Sequence, residues 1–385
     1  MQTSYFRITK ENSMYVGCTQ KLLDFVGIKP VSPPAETDPL FSWTANLVIL
    51  NRRKTLIAVN NATKSRFVLF GLTTKQIPKL SELLKQGIHT LLESEGIHPH
   101  VIRRYLEDCG DAAFTTTAHR SAITHSNKAC EYAKNFSEHF EPGDLFQAVY
   151  LPWFNEEFIP KDNAYSYDLL ASALKKRYGT PVHAVQAAEL EITMQLFTPC
   201  KRTLIVPAHL NFYQLHKILQ AAFGWKCCCT HQFILGRNEA GIPSVTLQPR
   251  YLAEPNWRIQ DYNIEWREST AVTLREVFEK QTTVEYEYDF EDSWIHTVTL
   301  KRFIEDYPSP FPYCTYAEGD APMEGCGGAE GFLEVQTILA DPTHYDYRFT
   351  KRWVEDAYWQ PLNIRMINQN LRDSHRRCAP TKFLW

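Results

Sequence analysis

The chain has 385 residues, 44% of them hydrophobic, and a formal net charge of −3. That length suits two domains or three. No run of 18 apolar residues is present, which excludes a transmembrane helix, and the opening MQTSYFRITKENS lacks a signal-peptide pattern. The ten cysteines are therefore read as free thiols in a reducing cytoplasm. Charge is uneven: residues 1–145 carry +3, residues 146–185 are neutral, residues 186–372 carry −8 and the last thirteen +2. The acidic C-terminal half offers no general attraction for a phosphate backbone, leaving nucleic-acid contact to the N-terminal part or a local patch.

In chain order, Thr19–Val26 reads as a helix, broken by Pro30, Pro33 and Pro34. Trp43–Leu50, Thr55–Asn60 and Arg66–Phe70 read as strands of an antiparallel meander, with Asn51–Lys54 as a turn. Ile77, Leu80, Leu83 and Leu84 give a helical stripe, and further helices are predicted to about Phe140. Residues 146–185 form a connector holding packed Trp153, Phe154 and Phe158 and a helix at Tyr167–Tyr178, ended by Gly179-Thr180-Pro181.

The second domain begins with strands at Ala188–Leu196 and Thr203–Val206. Asn211 and Gln214 have the spacing of a capping box. Behind them Leu215, Ile218, Leu219 and Ala222 form a buried stripe, and Gly224 a C-terminal stop. A strand at Gln232–Leu235, a helix at Val272–Lys280 and a hairpin returning through Trp294–Leu300 follow. A Pro- and Gly-rich loop spans Tyr307–Gly328. Helices are predicted near Glu330–Leu339, stopped by Asp341-Pro342, and near Arg348–Tyr358 and Ile364–Leu371, before a tail at 373–385.

Between them lies Val284-Glu285-Tyr286-Glu287-Tyr288-Asp289-Phe290, strictly alternating apolar and acidic. Period two on a strand puts Glu285, Glu287 and Asp289 on one face, with Asp292 and His296 following. Clustered carboxylates supply the oxygen ligands that a hard divalent cation takes. Glu287, Asp289, Asp292 and His296 are therefore candidate metal ligands, and Asp289, Asp292 and His296 candidate catalytic groups for metal-assisted hydrolysis. The alternative is a solvent-facing strand whose Asp289 and Asp292 shape a turn.

Three blocks carry a resemblance. They are Leu215–Trp225 with His231-Gln232-Phe233, then Tyr286–His296, then Tyr313-Cys314 followed by Cys326-Gly327-Gly328 and Gly331-Phe332. In order and spacing, the run from Glu189 to Arg372 resembles the plasmid pRiA4b ORF-3-like family. Lys21-Leu22-Leu23 and Trp43–Leu47 resemble a small N-terminal domain of unknown function. The resemblance implies an α+β fold and no reaction. It also brings an association with mobile elements, although the nucleophilic Ser among arginines that a recombinase needs does not stand out. The family's Cys-Pro-Pro segment is here Ala321-Pro322-Met323, so a cysteine-rich metal site would lack one ligand.

Cys314 and Cys326, with His231 or His296, have the residue types of a zinc site, but their twelve-residue spacing is no CxxC knuckle and burial as small hydrophobes is the commoner reading. Cys227-Cys228-Cys229 reads as a loop or as a redox or metal group. Gly327 and Gly328 precede a helix and read as a phosphate cradle or a tight turn. Arg52 and Arg53, with Lys54 on the same turn and Lys64 and Arg66 nearby, read as a phosphate-contacting patch or a solvated turn. The chain is thus read as two α+β domains, each a mostly antiparallel sheet with packed helices. They occupy residues 1–145 and 186–372, joined by the connector. The preferred function is binding or adaptor work, with Trp225, His231, Tyr288 and Trp294 lining an aromatic, acidic groove for a protein or nucleic-acid partner. The alternative is a metal-dependent hydrolase or nuclease.

Overall fold

The structure, a computed structural model, describes residues 13–32, 36–117, 120–179, 181–226, 229–249 and 264–377. Residues 1–12 and 378–385, with Pro33, Pro34, Thr180, Cys227 and Cys228, lie outside the described residues. The chain divides into two compact units, Met1–Ala184 and Val185–Trp385, and both are α+β.

In the first unit, strands β1 (Ser13–Cys18), β2 (Ser42–Leu50), β3 (Arg53–Asn60), β4 (Arg66–Leu69) and β5 (Asp111–Thr116) form one sheet in the order β4-β3-β2-β1-β5. The β2-β3-β4 meander is antiparallel, as its turn signals require. β1 sits beside β2 and β5 and is parallel to both. β1 and β5 were not expected as strands; only Phe114, Thr115 and Thr116 of Asp111-Ala-Ala-Phe-Thr-Thr favour a strand, and pairing with β1 orders the whole segment. Helices α1 (Gln20–Val26), α2 (Leu80–Ser94), α3 (Pro99–Cys109) and α4 (Arg120–Phe136) belong to this unit. Leu84, Ile88, Leu91 and Leu92 of α2 are buried with Trp43, Leu47 and Phe67. Gly87 allows that approach, since a Cβ there would lie 2.3 Å from the Phe67 ring.

Residues 146–185 are no free connector. The segment holds α5 (Leu151–Phe154), a hairpin of β6 (Phe158–Ile159) and β7 (Ala164–Tyr165), and α6 (Ser166–Tyr178), and it buries Leu151 of α5, Leu170 and Leu174 of α6, and Val182 beyond it in the same core. Phe154 is buried as expected, whereas Phe158 is exposed.

The second unit is built on an eight-stranded sheet. Its strands are β8 (Val185–Met194), β9 (Lys201–Pro207), β10 (His231–Arg237), β11 (Pro243–Gln248), β12 (Glu265–Glu268), β13 (Thr283–Tyr288), β14 (Trp294–Tyr307) and β15 (Tyr313–Glu318). Their order is β12-β11-β10-β13-β14-β8-β9-β15, antiparallel except for β11 with β12. The helices are α7 (Phe212–Phe223), α8 (Leu274–Phe278), α9 (Gly328–Ala340), α10 (Tyr347–Asp356) and α11 (Ile364–Arg377). α7 has the expected capping box: Asn211 accepts from Gln214 N–H at 2.9 Å and Gln214 from Asn211 N–H at 3.0 Å. Its stripe is buried and Gly224 closes it at φ 76°. β15 lies inside the loop expected between Tyr307 and Gly328, and α11 runs into the expected tail as far as Arg377.

Candidate functional site

The hairpin of β13 and β14 decides the site. Tyr286 pairs with His296, and Tyr288 with Trp294. Residues directly opposite share a face, and these four are buried together with Val284 and Val298. Glu285 and Glu287 therefore point from the other face. Glu285 is paired with Arg237. Glu287 accepts from Gln232 Nε2 at 2.6 Å and Ser293 Oγ at 3.2 Å, and Gln232 in turn accepts from Gln248 Nε2 at 2.7 Å.

Asp289 starts the turn in the left-handed region, at φ 58°. Its Oδ1 accepts from Glu291 N–H at 3.2 Å, and its carbonyl accepts from Ser293 N–H at 2.6 Å. Asp292 is half-buried, and its Oδ2 finds no hydrogen-bond partner among the described residues. Glu287, Asp289, Asp292 and His296 thus do not converge. Period two and the Tyr286–His296 register separate Glu287 from His296 by the thickness of the sheet. Among the described residues no three His, Cys, Asp or Glu side chains gather as a metal ion requires.

What the inward face does assemble is a buried group of histidines and aromatics. Tyr286 Oη accepts from Gln220 Nε2 at 3.0 Å and is hydrogen-bonded to His216 Nδ1 at 2.7 Å. His231 lies flat on His216, rings 3.5 Å apart and 4° from parallel. Among the described residues neither His231 nitrogen has a hydrogen-bond partner of good geometry. His296 Nδ1 sits 3.1 Å from Trp294 O and 3.3 Å from Tyr286 O, both acceptors, so Nδ1 carries the proton; Nε2 is unpartnered among the described residues.

Burial pushes all three histidines down from 6.5. His216 falls well below it, with the fields of His231 and Lys217 adding to desolvation. His231 falls to about 3, again through burial and then Lys217, and His296 to about 4 through burial. Neutral imidazoles can stack; charged ones at 3.5 Å would repel strongly. Parallel rings also aim their lone pairs along parallel lines, so His216 and His231 do not form a two-nitrogen metal clamp.

A loop covers this group. Trp225 stacks on Tyr288 at 4.9 Å and donates from Nε1 to Pro322 O at 2.8 Å. Tyr288 donates to Glu324, which also accepts from Lys226 N–H at 3.1 Å, and Trp359 Nε1 donates to Ala321 O at 2.8 Å. Burial raises the Tyr288 phenol, and Glu324 raises it further. Trp294 is buried with Nε1 unpartnered among the described residues. Gly327 and Gly328 have φ of 89° and 73°. A Cβ on Gly328 would come 2.9 Å from Asp292 O, and one on Gly331 1.8 Å from Cys326 O. These glycines let the loop and α9 close on the β13–β14 turn.

His216, Gln220, Tyr286 and Glu324 were missed as site residues. The signal for the first two was their i, i+4 spacing beside the α7 stripe.

The remaining candidates stay apart. Cys314 Sγ donates to Tyr316 O and Cys326 Sγ approaches Gly328 O. Burial, with Asp292 adding, pushes the Cys326 thiol up to about 12, which keeps it protonated. In the first unit Arg53 lies over Phe70 and Lys54 over Phe25, the latter at 4.0 Å. Lys64 and Arg66 are not their neighbours. They follow the far end of β3, and Arg66 is buried against Glu157 at 3.0 Å. Arg52 is exposed at φ 62° on the β2–β3 turn.

The hairpin, the α7 helix and the Cys-Gly-Gly closure together make the three blocks one packed unit. Residues 186–366 match the family described as plasmid pRiA4b ORF-3-like protein. Residues 15–168 match a domain of unknown function, DUF6933. An uncharacterized protein of Sinorhizobium fredii (strain NBRC 101917 / NGR234), y4hQ, is 28% identical over 188 residues, covering 48% of this chain and 90% of that protein. The crystal structure of MM3350, a protein of unknown function from Methanosarcina mazei Go1, is similar with 22% identity and a TM-score of 0.39. It covers 47% of this chain and 96% of that one. Neither the matched family's description nor that of y4hQ states a reaction.

Proposed function

We propose that this is a binding or adaptor protein that takes a protein partner on its C-terminal helices. The observation that carries the reading is the exposure of Tyr345, Phe349 and Tyr358, at 88%, 75% and 82%, on and beside α10. Large aromatics are the side chains whose burial contributes most at protein interfaces. Arg348, Lys351 and Arg352 are matched there in number by Asp346, Glu355 and Asp356. That balance gives little pull on phosphates and favours a protein over a nucleic acid. The free thiols of the described cysteines support a cytoplasmic setting, and an association with mobile elements rests on the family resemblance.

The test replaces Tyr345, Phe349 and Tyr358 together by Ala and compares what the two tagged proteins retain. Loss of a stoichiometric partner by a variant that melts like wild type is the expected outcome; identical retention would sink the reading. The alternative, a hydrolase using Glu287, Asp289, Asp292 and His296, has less support because Glu287 and His296 face opposite ways. It requires a stoichiometric metal that disappears in the Asp289→Asn, Asp292→Asn double variant, measurable by elemental mass spectrometry.

A further inference from the structure

We infer that a groove at the β12 edge of the C-terminal sheet binds a small amphipathic anion, an apolar carboxylate. The groove lies between β10, β11 and β12 on one side and α8 with its flanking turns on the other; it is open to solvent along one side and has a volume of about 440 Å³. Ligand sites of small molecules fall at roughly 300–1,000 Å³ with apolar walls and few polar groups. Here Leu235, Val245, Val272 and Val277 make the apolar lining. Gly236 sits where the β10–β11 register slips, and a Cβ built on it meets nothing within 4 Å, so open space begins at the backbone.

The charged groups at the mouth select the occupant. Glu276 is engaged in the α8 capping box, accepting from Thr273 N–H at 2.7 Å. Arg267 Nε donates to Glu265 at 2.7 Å. Lys280 lines the groove and is exposed; its charge acts on Glu276 one turn back, but it makes no ion pair within 4 Å among the described residues. Its ammonium is left for an incoming carboxylate while the ligand's hydrocarbon lies on the valines. This site is independent of the aromatic surface on α10.

Decanoate is the probe, titrated calorimetrically into the full-length protein. Saturable one-to-one binding is expected. Lys280→Gln, or decanol in place of decanoate, should weaken it about tenfold, the size of one charge-assisted hydrogen bond. Gly236→Leu should abolish it by filling the groove. Absence of saturable binding, equal affinity for decanol, or binding unaffected by Gly236→Leu would each overturn the inference. A diazirine-bearing decanoate covers the case in which Gly236→Leu misfolds. On wild type it should label residues 235–245 or 271–281, and labelling confined elsewhere overturns the inference too.

Discussion

At the residue scale, the stacked His216 and His231 define how this protein meets acid. Their folded protonation constants, and that of His296, lie below the ordinary 6.5. As pH falls through 6.5, unfolded chains take up protons that the folded protein refuses, so stability falls. The loss continues until His296 protonates near 4 and His231 near 3; above 6.5 these groups contribute no pH dependence. Urea midpoints should therefore drop between pH 7.5 and 5, before most carboxylates titrate. His231→Phe keeps a flat ring against His216 and removes one of the buried groups that titrate, so its midpoint should drop less. Equal drops for both proteins would show that the stacked pair is not the acid-sensitive element. None of this was legible from His231 and His296 as isolated letters. Their neutrality comes from burial by α7 and the covering loop, which adjoin them only after folding.

At the element scale, α9 and the loop before it depend on glycine. The carbonyl of Cys326 stands 1.8 Å from where a Gly331 Cβ would be, so the backbone must move to admit a methyl group. Gly331→Ala should cost about 1–3 kcal/mol. It should also loosen Trp225, whose indole is tied to Pro322 in the same loop, and near-ultraviolet circular dichroism would report that. An unchanged melting temperature and an unchanged indole signal would show that the closure tolerates the shift. The same scale separates what sequence reveals from what it hides. The capping box at Asn211 and the stripe behind it are local, and they were legible. The alternation of 284–288 was also legible and correctly set Glu285 and Glu287 on one face. The face of His296 was not, because it depends on which residue stands opposite Tyr286, and the five-residue turn at 289–293 sets that register. β15 was hidden for a similar reason: Tyr313–Glu318 lies in a Pro- and Gly-rich stretch and gains its strand order by pairing with β9.

At the scale of the whole molecule, the two buried clusters draw on separate stretches of chain. One uses residues from Met14 to Val182, the other residues from Ala188 to Leu371. Every strand of the eight-stranded sheet also comes from the second unit. A domain with its own core and complete sheet folds alone, which the first-unit placement of residues 146–184 makes sharper. A fragment beginning at Val185 should unfold cooperatively and keep the acid sensitivity of the full chain, since His216, His231 and His296 all lie within it. A cut at residue 146 should instead leave the N-terminal piece without Leu151, Leu170, Leu174 and Val182 and unable to unfold cooperatively. Circular dichroism of the three proteins against urea checks both statements. A fragment from Val185 with no cooperative transition would mean that the C-terminal sheet needs the first unit for its stability, and the α10 surface would then have to be tested only in the full chain.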